Sequence, residues 1–173
     1  MNPSDANSLC RECGLCCNGV IFADVQLRPA DNAARLRALG LAFAQKSKVG
    51  IEKFKQPCAA FGGCKCNIYS ERPTYCREFE CLLLKGVKSG EVKIDEARRV
   101  IRSALRQAET VKKLLRLLGD TDESIALSKR VQRMTRKVER GPHDKDTAHI
   151  FGELTLAAHK LNMVLSERFY RDL

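Results

Sequence analysis

The stretch LCRECGLCCNGV, Leu9 to Val20, places Cys10, Cys13, Cys16 and Cys17 within eight residues. Five more cysteines follow as C58-x5-C64-x-C66-x9-C76-x4-C81, and none occurs beyond Cys81. A C-x2-C pair can set two thiolates on one ion, with backbone N–H groups between them free to donate to sulfur. Gly14 eases the turn this requires. Cys16 and Cys17 are adjacent, so their side chains project apart. They serve two centres, or one of them bridges two metals. Nine small buried hydrophobes would not need this spacing, which points to metal.

The compartment decides between metal and disulfides. The opening MNPSDANSLC is polar and has no apolar signal core. No apolar run approaches the ~18 residues of a membrane span. The expectation is a cytoplasmic protein without a membrane segment. Clustered cysteines there favour metal binding or redox chemistry over structural disulfides, and an odd count of nine leaves one unpaired in any all-disulfide scheme. Two four-coordinate sites fit eight or nine thiols; a single centre with spare cysteines is the alternative. Four thiolates suit zinc or iron. The C-x2-C-x2-C run with a remote fourth cysteine also matches the pattern that holds a [4Fe–4S] cluster, although the candidate remote ligand, Cys58, follows Pro57 rather than preceding a proline. His143, His149 and His159 all lie in the cysteine-free half and read as ordinary surface or core histidines.

The motifs CRECGLCC, PC and CNIYSERPTYCREFEC resemble the YkgJ-like cysteine-cluster family, the CxxCxxCC zinc- or iron-chelating domain. The resemblance runs from Cys10 to Cys81 and includes Cys66, Ile68, Tyr69, Arg72, Pro73, Cys76, Arg77 and Phe79. It implies that Cys10, Cys13, Cys16, Cys17, Cys58, Cys66 and Cys76 are metal ligands, with Cys81 as an eighth. Cys64 lies outside the pattern. A related cluster in flagellin lysine methylases gives only an analogy to modification chemistry. Within the signature, Arg72 and Arg77 can offset thiolate charge or donate to sulfur. Pro73 fixes a turn, and Tyr69 and Phe79 are expected to pack over the site.

Around this cluster the chain changes texture. Ile21, Ala23, Val25 and Leu27 alternate within residues 20–27, a strand pattern. Pro29 is placed to open a helix that Gly40 closes. From Ile94, apolar residues recur at spacings of three and four through Leu118, and Gly119 ends the run. Asp120 with Glu123 predicts the cap of a second helix carrying Leu127, Val131, Met134 and Val138. A third helix starts near Asp146 and carries Phe151, Leu154, Ala158, Leu161, Leu165 and Phe169. Short connections imply antiparallel neighbours. The expected fold is mainly α: a loop-rich cysteine module with a short strand (1–90) packed on a C-terminal three-helix antiparallel bundle (91–173).

The formal charge of +10 divides evenly: 13 Lys and Arg against 8 Asp and Glu up to residue 90, then 18 against 13. Two zinc tetrathiolates would bring −4 to the first half and leave it near +1. The second half has no thiolate to balance. There Lys129, Arg133, Arg136 and Arg140 share one face, as do Arg99, Arg102, Arg106, Lys113 and Arg116. These are solvated faces or the site of a nucleic-acid or acidic protein partner; no aromatic residue interleaves them for stacking on a single strand. No paired carboxylates, nucleotide loop or Cys–His dyad stands out. The leading function is a protein that stores, delivers or structurally uses zinc or iron. The alternatives are a redox or modification enzyme or electron carrier with an iron–sulfur centre, and a zinc-stabilised adaptor acting through the basic helices. Whether the protein is an enzyme stays open.

Overall fold

A computed structural model describes residues 3–44, 50–63 and 65–170, so Cys64 lies outside the described residues. The chain is mainly α with one small sheet. In order it forms α1 (Pro3–Cys13), β1 (Asp24–Gln26), α2 (Ala33–Ala38), β2 (Lys53–Lys55), a 3₁₀ turn (Tyr69–Glu71), α3 (Thr74–Glu78), α4 (Leu82–Ser89), α5 (Ile94–Leu117), α6 (Leu127–Arg140) and α7 (Lys145–Arg168). Among the described residues no helix is long and apolar enough to cross a membrane.

The three long C-terminal helices follow their sequence periodicity. Ala97, Ile101, Ala104, Ala108, Val111 and Leu115 of α5 are all buried, as are Leu154, Leu161 and Leu165 of α7. These faces meet, with Met134 and Val138 of α6 in the same core. Asp144 caps α7, its Oδ1 accepting from the Thr147 N–H at 2.7 Å.

The start of α6 departs from expectation. Asp120 does not cap it; the helix begins seven residues later, at Leu127, after Ala126. Asp120 is instead buried, and both its oxygens are taken: Oδ1 accepts from Arg130 Nε at 3.0 Å, and Oδ2 from Arg133 Nη2 at 2.7 Å. Glu123, the expected capping-box partner, accepts from Arg116 at 2.8 Å. Arg130 is 1% exposed, so a basic residue sits inside the apolar face. Removing that charge from water is offset by an ion pair and by its second bond to the Asp120 carbonyl at 2.9 Å.

The N-terminal part differs more. The strand expected over 20–27 pairs only at Asp24–Gln26, because β2 supplies only Lys53–Lys55 as an antiparallel partner, Val25 opposite Phe54. Val20, Ile21 and Phe22 are all buried, so the alternation breaks ahead of the strand. Helix α2 starts at Ala33, not at Pro29; Asn32 caps it, accepting from the Arg35 N–H at 2.9 Å. Asp31, which the sequence places inside that helix, instead accepts from the Thr74 N–H and hydroxyl, each at 2.8 Å. It thereby pins the start of α3, 43 residues away.

Two hydrophobic cores result. The larger joins Leu9, Leu15, Ile21 and Phe22 to α4, α5, α6 and α7. The smaller is built from Val25, Leu27, Leu36, Leu41, Phe54, Ala60 and Ile68.

A candidate metal centre between two cores

Helix α1, which the sequence patterns did not announce, places Cys10 and Cys13 three residues apart on one face of its last turn. Gly14 then reverses the chain at φ +65°. Its carbonyl accepts from the Cys17 and Asn18 N–H groups, both at 2.9 Å, so Cys16 and Cys17 sit in a tight turn. The Cys58 N–H donates to the Cys17 carbonyl at 2.8 Å, which brings the second run of cysteines against the first. A bridge between Phe61 and Cys66 folds that run back on itself. Cys76 rides on α3. Cys81 caps α4, its Sγ accepting from the Leu84 N–H at 3.4 Å.

All eight described cysteines line one cavity of about 200 Å³: Cys10, Cys13, Cys16, Cys17, Cys58, Cys66, Cys76 and Cys81. They are free thiols, Cys10 exposed and the other seven half-buried. Cys13, Cys16 and Cys81 pack against the larger core; Cys58, Cys66 and Cys76 pack against the smaller. The leading electrostatic neighbours lean the same way, while Cys17 is also felt by Cys13 and Cys16 and itself feels Cys10. Cys10 feels Cys81, and Cys16 feels Cys13, Cys81, Cys17 and Cys10. Cys17 feels Cys58 and Cys66 most strongly, and Cys76 feels Cys17, Cys58 and Cys66. Cys16 and Cys17 thus differ in their leading neighbours, Cys13 and Cys81 for the one and Cys58 and Cys66 for the other, and share Cys10.

Burial sets the protonation state. Desolvation pushes Cys13 and Cys76 up to about 12 and Cys17 up to about 11, with neighbouring thiols adding to the rise. Cys16 is also pushed well up, by burial first and then by neighbouring thiols. A weaker counter-effect comes from the backbone: the Leu15 N–H favours the Cys13 thiolate, and the Ala60 N–H that of Cys58. This is the N–H-to-sulfur arrangement that the C-x2-C spacing anticipated. Burial thus favours the protonated form of these thiols, and a cation would be needed to balance their thiolates.

Arg72 is a cation felt by thiols on both sides of the division. Its guanidinium lies 3.7 Å from the centre of the Tyr69 ring and donates to the Tyr69 carbonyl at 3.1 Å. From there it favours the thiolates of Cys10, Cys17 and Cys76. Arg77 does otherwise: it donates to the Thr74 hydroxyl at 3.1 Å, the same hydroxyl that donates to Asp31. Phe79 packs on the cavity wall as expected, 4.9 Å edge-on from Phe22 and stacked on Tyr75. Tyr69 also lines the cavity but is 44% exposed, standing at the mouth as a platform for Arg72. All three histidines are exposed.

Sequence reasoning missed Gln56, Tyr75 and Lys88, which also line the cavity. Gln56 is 3% exposed, and its Oε1 has no hydrogen-bond partner. Only its place before Pro57-Cys58 could have singled it out.

The donor chemistry fits a thiophilic ion: sulfur ligands, N–H groups directed at sulfur, a nearby arginine and an apolar wall. The spacing is open. Among the described residues no group of three or more His, Cys, Asp and Glu side chains is closed around a point that could hold an ion. The sequence model of the CxxCxxCC family, described as a "Putative zinc- or iron-chelating domain", matches residues 9–111. The chain belongs to this family. The match passes beyond Cys81 through α4 and into α5, so the family pattern includes helices packed on the cysteine turn. No curated protein and no solved structure matches the chain.

Proposed function

We propose that this CxxCxxCC protein binds two ions of the zinc or iron class, one by Cys10, Cys13, Cys16 and Cys81 and one by Cys17, Cys58, Cys66 and Cys76. It would store, deliver or structurally use them. The observation that carries the reading is the division of six of the eight cavity-lining thiols between two cores, three by three, with Cys10 joined to the first set by its neighbour Cys81 and Cys17 to the second by its leading neighbours Cys58 and Cys66. Each bound ion would draw its sulfurs together and compensate thiolates that the apolar wall otherwise keeps protonated. The division at residue 90 is then one of chemistry: ligands before it, helical support after it.

Elemental analysis of anaerobically purified protein tests this. Two ions per chain are expected. Cys13→Ser and Cys76→Ser should each lose one, and Cys64→Ser neither. One ion per chain, or a loss from Cys64→Ser equal to that from Cys13→Ser, overturns the assignment. The optical spectrum separates metal handling by zinc, which is colourless, from the redox alternative, in which an iron–thiolate or iron–sulfur centre is brown or red. The adaptor alternative is weakened at its basic face. Arg133 is bound to Asp120, and Lys129 stands 3.6 Å from Asp24. Arg136 and Arg140 remain exposed without an ion pair among the described residues.

A further inference from the structure

We propose that Cys10 is the exchangeable ligand of its set, the position at which an ion enters and leaves and at which a small anionic thiol can take the place of protein sulfur. The inference rests on the four-by-four reading above. Three observations carry it. Cys10 is the one exposed residue among the eight described cysteines, while Cys13, Cys16 and Cys81 are half-buried against the larger core. It lies in the last turn of α1, so its sulfur can swing outward without moving the Gly14 turn that fixes Cys16 and Cys17. Finally, the charged residues of the cavity lining are four cations, Arg11, Arg72, Arg77 and Lys88, against one carboxylate, Glu80.

Those charges are arranged for an anion at the mouth. Tyr69 carries the Arg72 guanidinium at 3.7 Å and has Arg11 at 5.8 Å from the same ring. Lys88 is ion-paired to Glu80 and lines the same cavity as Cys10. Arg77 is turned toward Thr74. A departing Cys10 sulfur therefore keeps cationic company. An incoming thiol that carries carboxylates would meet Arg11 and Arg72 before it reaches the ion. With an ion bound, the exchange would balance without redox change: the incoming thiol would give up its proton as its sulfur bonds the ion, the bond to Cys10 Sγ would break, and Cys10 would take up that proton. The ligand class is a low-molecular-weight thiol bearing carboxylates.

The test uses the zinc-loaded full chain and follows zinc loss into an excess of chromogenic chelator. Mercaptosuccinate and cysteamine are compared at equal thiolate concentration. Mercaptosuccinate should speed loss of one of the two ions at least about fivefold more than cysteamine, and high salt should erase the difference. Lys88→Gln, at an exposed position, and Arg72→Gln should each shrink the preference; far-UV circular dichroism checks that both variants fold. Cys10→Ser should still hold two ions in excess zinc but release one about tenfold faster, whereas Cys16→Ser should lose that ion from the stoichiometry. Equal acceleration by the two thiols, or wild-type release from Cys10→Ser, overturns the inference while leaving the two-set reading intact. Fewer than two zinc ions on the wild-type chain removes the two-set reading and the inference with it.

Discussion

Gly14 offers the sharpest test of how the cysteine turn is held. It lies between Cys13 and Cys16 at φ +65°, and a Cβ added there would fall 2.5 Å from Phe61 Cζ and 3.0 Å from Cε2. Gly14→Ala therefore carries two costs. Left-handed backbone costs an L-residue about 1–2 kcal/mol. Forcing a methyl against the Phe61 ring, whose backbone is bridged to Cys66, costs about 1–3 kcal/mol more. The sum is about 2–5 kcal/mol. Gly40 isolates the first term: its φ is +88°, but no atom lies within 4 Å of its added Cβ. Guanidinium unfolding of the zinc-loaded protein, followed by circular dichroism, should show Gly14→Ala losing clearly more stability than Gly40→Ala, which should lose only about 1–2 kcal/mol. If the metal-free turn can relax, the same energy reappears in zinc competition as an affinity about 30- to 5,000-fold weaker for Gly14→Ala alone. Equal destabilisation of the two variants, with unchanged zinc affinity in both, would refute the claim that Phe61 buttresses the turn.

Asp120→Ala should destabilise the protein by about 3–5 kcal/mol, because it strands the buried Arg130 guanidinium; adding Arg130→Met should recover much of the loss in the same unfolding assay. The thiols make a pH prediction. Cys13 and Cys76 are raised from 9.0 to about 12 and Cys17 to about 11, so the metal-free fold binds more protons than the unfolded chain across that window. Their stabilising contribution is full below pH 9 and is lost as pH rises through 11 to 12, which a denaturant midpoint measured at pH 8 and pH 11 will register. Zinc uptake at pH 8 should release protons, read with an indicator dye, and zinc affinity should weaken as pH falls. Arg136→Glu with Arg140→Glu should leave stability within about 0.5 kcal/mol and metal content unchanged, since neither side chain has an ion pair among the described residues. If low-salt titration detects RNA or duplex DNA binding to the wild-type chain, that double variant should abolish it, and the adaptor reading gains its footing.

Local periodicity made α5 and α7 legible in the sequence, because a helix repeats its buried face every three or four residues whatever it packs against. Cysteine spacing likewise announced the metal chemistry, since two cysteines with two residues between them can reach one ion from almost any turn. The tertiary structure decided which cysteines keep company. The Cys58 N–H binds the Cys17 carbonyl and brings the second cysteine run to Cys17, while Cys81, capping α4, is an electrostatic neighbour of Cys16. Neither event leaves a local pattern. The same holds for Asp31, whose partner Thr74 is 43 residues away, and for Asp120, which reads as a helix cap until Arg130 and Arg133 claim both its oxygens. A capping residue and a buried counter-ion carry the same carboxylate. Only the packing of α6 against the rest of the chain, which brings a guanidinium within 3.0 Å, tells them apart.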